Sequence, residues 1–103
     1  MTPAPRKPSG GDAGEGSRAR AAIERMTLMR AVGERLQRLR GAAGLTPDGL
    51  AERCRLPTKK LTDTEAGRVE PTLRLILVLC DGLAITPDEL LHGLPVPHER
   101  STI

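Results

Sequence analysis

The sequence predicts an all-α fold of five helices joined by short connections, and three observations carry that reading. Apolar residues recur at three- and four-residue steps, while no stretch alternates with the period of a strand. A Thr-Pro-Asp helix start occurs twice, at Thr46-Pro47-Asp48 and at Thr86-Pro87-Asp88. The chain has no Phe, Tyr or Trp, so its core must be Leu, Ile, Val, Met and Ala, a set that packs helices better than sheets.

The first helix is expected from about Arg18, with Ser17 as its cap. Its stripe runs through Ala22 or Ile23, Met26, Met29, Val32, Leu36, Leu39 and Ala43, and Gly41 and Gly44 end it. The part before about Met29 either frays or adds contacts to a partner. The second helix opens at Thr46 and Pro47, reaches about Cys54, and buries Leu50, Ala51 and Cys54. Arg55 is the turn, and Leu56 drops into the core. Pro57 and Thr58 open the third helix, which carries Leu61 inward and reaches Glu65 before Gly67 stops it. Thr72 caps a fourth helix over about 73–81, and a short fifth reaches Leu91 before Pro95 and Pro97 break the chain.

At 103 residues the chain has room for one domain. Residues 1–17, rich in Pro, Gly, Ala and Ser, are expected as a disordered tail. Residues 18–29 form a helical extension, 30–92 the domain, and 93–103 a second tail. A folded part this small is marginal for a single core, so a second copy or a small protein partner is a natural source of further burial. No apolar run approaches a membrane span, and residues 1–16 lack the apolar centre of a signal peptide. The expectation is a cytoplasmic protein with no membrane contact. Cys54 and Cys80 form no metal-ligand spacing with His92 and His98, and both thiols are read as reduced and structural.

Charge is uneven along the chain. Residues 30–74 carry ten basic and six acidic side chains, a surplus of four, whereas residues 75–103 carry one basic and four acidic, a deficit of three. A basic middle and an acidic end fit one face toward an anionic partner and another turned away from it. The missing aromatics exclude base stacking, and with it a single-strand or RNA module. An enzyme is not expected either. Neither His lies near a Ser, Cys or acidic cluster of useful order, no glycine-rich phosphate loop exists, and no cofactor or metal is implied.

The ordered pieces Gly33-Glu34-Arg35-Leu36, Leu39-Arg40, Gly44-Leu45, Leu50-Ala51, Leu61, Glu65-Ala66-Gly67, Pro71-Thr72-Leu73 and Leu83 to Leu91 resemble the lambda-repressor and Cro family of helix-turn-helix proteins, also called the xenobiotic-response-element family. The resemblance spans about Val32 to Leu91. It implies a five-helix lambda-repressor-like domain that binds double-stranded DNA, with helix 57–65 in the major groove. Two short helices joined by a tight turn must cross steeply, and Ala51 supplies the small residue at the crossing. Carried over by position, the resemblance makes Thr58, Lys59 and Asp63 base-facing, with Lys60 on the flank. Lys59 suits guanine O6 and N7, Asp63 cytosine N4, and Thr58 a thymine methyl or a polar edge. Backbone amides near Thr46 and Asp48 are expected to meet a phosphate, and Arg68 to clamp another. Arg53 and Arg55 assist if they share that face. The resemblance also implies a structural ion pair between Arg40 and Glu65.

The chain departs from the family pattern at several positions. Pro47 stands where the family carries a glutamine, and Arg55 where it carries the turn glycine. Pro57 brings no hydroxyl cap to helix 57–65. Thr64 occupies an apolar position and needs a hydrogen-bond partner if buried. Helix 73–81 is apolar nearly all round. Leu73, Ile76, Leu77, Cys80 and Leu83 are read as its core face. Leu75, Val78 and Leu79 are then either extra core under the tail or a dimer or partner surface. Two functions stay open: a sequence-specific transcriptional regulator acting as a dimer on a palindrome, or a protein-interaction module such as an antitoxin that uses the surface of helix 72–81.

Overall fold

A computed structural model describes the backbone of residues 6–95 and the side chains of residues 16–95. The elements are α1 (Arg6–Ala42), α2 (Pro47–Cys54), α3 (Thr58–Glu65), α4 (Leu73–Leu83) and α5 (Pro87–Leu91). Among the described residues there is no strand.

Four of the helices start at their sequence signals. Thr46 Oγ1 accepts from the Gly49 amide at 3.0 Å, and Thr72 Oγ1 from the Leu75 amide at 3.1 Å. Thr86 and Glu89 close a reciprocal capping box at the start of α5. α3 begins after Pro57 with no side-chain cap, as its sequence implies. α1 differs: it starts at Arg6 rather than about Arg18, and Ser17 lies within it. The tail expected over 1–17 lies outside the described side chains except for Gly16 and Ser17. His98 also lies outside the described residues.

α2 ends on Arg55 in the left-handed region, at φ 58° and ψ 45°. For a residue with a Cβ this conformation costs on the order of 1 kcal/mol. It is held by Leu56 N–H donating to Ala51 O at 2.9 Å, which swings Leu56 back toward the core. α4 ends the same way on Ala84, at φ 58°, two residues beyond the expected end. No glycine marks that stop, so the sequence carries no left-handed signal there.

The core gathers Val32 and Leu36 of α1, Leu50, Ala51 and Cys54 of α2, Leu61 of α3, five residues of α4 and Leu90 of α5. α3 packs on α1 and α2, α4 on α2 and α5, and α5 on α1. The α1 stripe enters the core only from about Leu28, since Ile23 and Met26 are exposed, as is Ala43 at its far end.

The register of α4 corrects the sequence reading. Its buried face is Leu75, Ile76, Leu79, Cys80 and Leu83. Leu75 and Leu79, left open between extra core and a dimer or partner surface, are core at 6% and 0% exposed, whereas Leu73 and Leu77, read as core, are 74% and 49% exposed. Of the three residues left open only Val78 borders solvent, half-buried. A helix that is apolar on every side carries no preference in its own pattern. The positions of α2 and α5 choose the face.

Arg35 joins the two ends of the chain order. Its guanidinium donates to the carbonyls of Glu89, Leu90 and His92 at 3.1, 3.2 and 2.8 Å. A five-residue helix cannot satisfy its own last carbonyls, and an arginine from α1 does so instead.

Candidate nucleic-acid interface

α2 and α3 are joined by Arg55, Leu56 and Pro57. Ala51 is buried and joins Leu50, Cys54 and Leu61 in the core, with Cys54 lying against α4, its Sγ donating to the Val78 carbonyl at 3.5 Å. α3 turns Leu61, Thr64 and Glu65 inward. Thr64, 1% exposed, meets its polar requirement by donating to the Lys60 carbonyl at 2.8 Å. The opposite side presents Lys59 and Lys60 to solvent, with Thr58, Thr62 and Asp63 half-buried beside them.

The C-terminal end of α3 is fixed by charge. Arg40 meets Glu65 with two parallel bonds, Nε to Oε2 at 2.6 Å and Nη2 to Oε1 at 3.1 Å. Its third nitrogen, Nη1, donates to the Leu45 carbonyl at 2.9 Å. The side chains are 14% and 5% exposed, so the fork is largely shielded from water. Gly33 lies on the same contact. A Cβ there would collide with the Glu65 carbonyl and stand 2.7 Å from that of Thr64, so α1 and α3 approach closely only because Gly33 has none.

The candidate contacts are tied to one another. Asp63 accepts from Lys59 Nζ at 2.9 Å and from Arg68 Nη1 at 3.0 Å. Both bonds, that from Lys59 first, hold its carboxyl below the usual aspartate range. One carboxylate between two cations leaves a net positive cluster and sets where both cations stand. Thr58 Oγ1 donates to Asp48 Oδ1 at 2.7 Å, which links the first turns of α3 and α2. Thr46 is used as the α2 cap. Thr58 with Asp48, and Lys59 and Arg68 with Asp63, thus form two hydrogen-bonded groups at the outer side of α3, and Lys60 is exposed one position beyond Lys59. Arg53 and Arg55 do not join this edge. They line a groove against α4, and Arg53 Nη1 donates to the Gly82 carbonyl at 3.3 Å.

Sequence reasoning assigned no role to the side chain of Arg35, and gave Asp48 a helix start and a backbone amide but no side-chain contact. The shortness of α5 was a signal for the first, since its carbonyls need an outside donor. The Asp48 contact joins positions ten apart across a turn, and no periodicity announces it.

A family profile described as a helix-turn-helix domain matches residues 31–93. This chain belongs to the helix-turn-helix domain family. It is a helix-turn-helix DNA-binding protein, of the all-α class that its sequence resembles. Among solved structures, the helix-turn-helix unit is similar to the restriction-modification controller protein C.AhdI from Aeromonas hydrophila. The two are 35% identical with a TM-score of 0.59, over 60% of this chain and 94% of that one. No curated protein matches the chain. The profile begins at residue 31, so the helix-turn-helix protein carries the earlier turns of α1 ahead of the family unit. No helix among the described residues is long and apolar enough to cross a membrane, and no cluster of His, Cys, Asp or Glu among them is placed to hold a metal.

Proposed function

We propose that this protein is a sequence-specific transcriptional regulator that reads the major groove of double-stranded DNA with α3, as a homodimer on half-sites about 34 Å apart. The observation that carries the reading is the outer side of α3: Lys59 is exposed, with Thr58 and Asp63 half-buried beside it, while Arg40 and Glu65 anchor the same helix to α1. Lys59 supplies a donor for guanine, and Thr58 a polar or methyl contact. Lys60 and Arg68 contribute phosphate contacts, and the start of α2 at Thr46 positions the backbone. The basic surplus over residues 30–74 adds a sequence-independent attraction. The domain spans 30–92, with 18–29 as an extension of its first helix. The similarity to a controller protein supports a regulatory role.

Selection of duplexes from a random DNA pool at two salt concentrations tests this, with Lys59→Ala and Lys60→Ala beside the wild type. An enriched palindrome is expected. Lys59→Ala relaxes one position of it, whereas Lys60→Ala weakens all sequences alike and lowers the salt dependence by about one phosphate contact. Weak, salt-sensitive retention with no enriched sequence would overturn the reading and favour a protein-interaction module on the same scaffold.

A further inference from the structure

We propose that the exposed face of α4 is where two copies of this chain meet, packed antiparallel about a two-fold axis between Leu77 and Val78. The proposal rests on the dimeric reading above and names the surface and register of that dimer. Leu73, Leu77 and Val78, with Arg74 and Asp81, line one wall of an open groove of about 790 Å³, and Arg53, Cys54 and Arg55 of α2 line the other. Residues 73, 74, 77, 78 and 81 share one side of α4, opposite the side that fills the core. The fold of one chain therefore leaves two large leucines of this helix in water.

The charges select the occupant. Arg74 lies in the first turn of α4 and Asp81 in the last. Each has the wrong sign for the dipole of its own helix, which is positive at the N-terminus and negative at the C-terminus. Seven residues of helix separate them by about 10.5 Å along the axis, too far to pair with each other. Neither takes part in an ion pair among the described residues.

A second copy laid antiparallel reverses both mismatches. Arg74 then faces Asp81 of the second copy and the negative end of its α4. Asp81 faces Arg74 of the second copy and the positive end of the same helix. Leu77 packs on Val78 of the second copy. The contact is self-complementary and closes at two chains. On the α2 wall the Arg53 guanidinium is held by the Gly82 carbonyl of its own chain.

Sedimentation equilibrium of the full chain tests the interface, with interference optics because the chain has no Trp or Tyr. Arg74→Asp and Asp81→Arg are each expected to weaken dimerisation about tenfold or more, and the double variant R74D/D81R to regain most of that loss, as a coupled pair must. Leu77→Glu is expected to stay monomeric at concentrations where the wild type is a dimer. Circular dichroism of each variant confirms the helices, and Asp81→Arg improves the match to its own helix dipole, so its effect is not one of unfolding. A double variant no stronger than the weaker single would overturn the proposal. A wild-type dimer indifferent to all the variants would overturn this interface alone, since DNA selection would still return a palindrome. A wild-type monomer at all concentrations would overturn the interface and the dimeric reading together, and Lys59→Ala would still test groove reading at a single half-site.

Discussion

Arg40 and Glu65 show how much one pair of side chains decides in a domain this small. The arginine has no slack: two nitrogens hold the carboxylate and the third holds the Leu45 carbonyl. Replacing Arg40 by Met keeps the stem but leaves a shielded carboxylate without its partner. Such a change is expected to cost about 3 kcal/mol or more. Urea denaturation followed by circular dichroism measures it. A loss below about 1 kcal/mol would mean the pair behaves as an exposed one. At Asp63 the same chemistry works in the open. Its two cations hold it ionised, and they also hold Lys59 and Arg68 in place along the edge of α3. This pairing was legible only in part. The residues stood out as DNA-facing candidates through the family resemblance, and Lys59 stands four positions from Asp63, but the second cation, Arg68, lies beyond the end of α3 where helical spacing no longer applies.

The elements were legible wherever a local rule fixes them. The Thr-Pro-Asp starts, Thr72 and the Pro57 start are short-range chemistry, and α2, α3, α4 and α5 begin where those signals put them, whereas the turn at Arg55 was read from the family's glycine position. What failed was the face of α4. A helix apolar all round satisfies more than one register, and the choice falls to its neighbours. The crossing of α1 and α3 was likewise not visible, although it depends on one residue. Gly33→Ala places a methyl group against backbone carbonyls that no rotamer change can move. The expected result is a destabilisation of about 1–3 kcal/mol, by overpacking. Thermal unfolding by circular dichroism checks it, with Gly41→Ala as a control because a Cβ at Gly41 meets nothing within 4 Å. If both variants unfold alike, the close approach has no energetic weight.

Over the whole molecule, a core without aromatics gathers two thiols among its leucines. Cys54 and Cys80 are free and buried. Burial raises both thiol pKa values, with Asp81 adding to the shift at Cys54 and Glu89 at Cys80. The folded protein therefore keeps both protonated to higher pH than the unfolded chain does. That contribution to stability is complete below the ordinary thiol pKa and is lost as the pH rises through the raised values. At neutral pH, alkylation by iodoacetamide followed by mass spectrometry should modify neither thiol on the timescale on which both react in denaturant. Modification at the denatured rate would show that the core opens without global unfolding.

The sequence by itself determined the helix starts, the all-α class, the family and the set of residues available to the edge of α3, because capping, turn chemistry and periodicity act within a few residues. Tertiary structure alone decided which side of α4 is core and which donor closes α5. Those outcomes depend on contacts such as that of Arg35 with the Glu89 carbonyl, between residues far apart in the chain, and only packing brings such partners within reach.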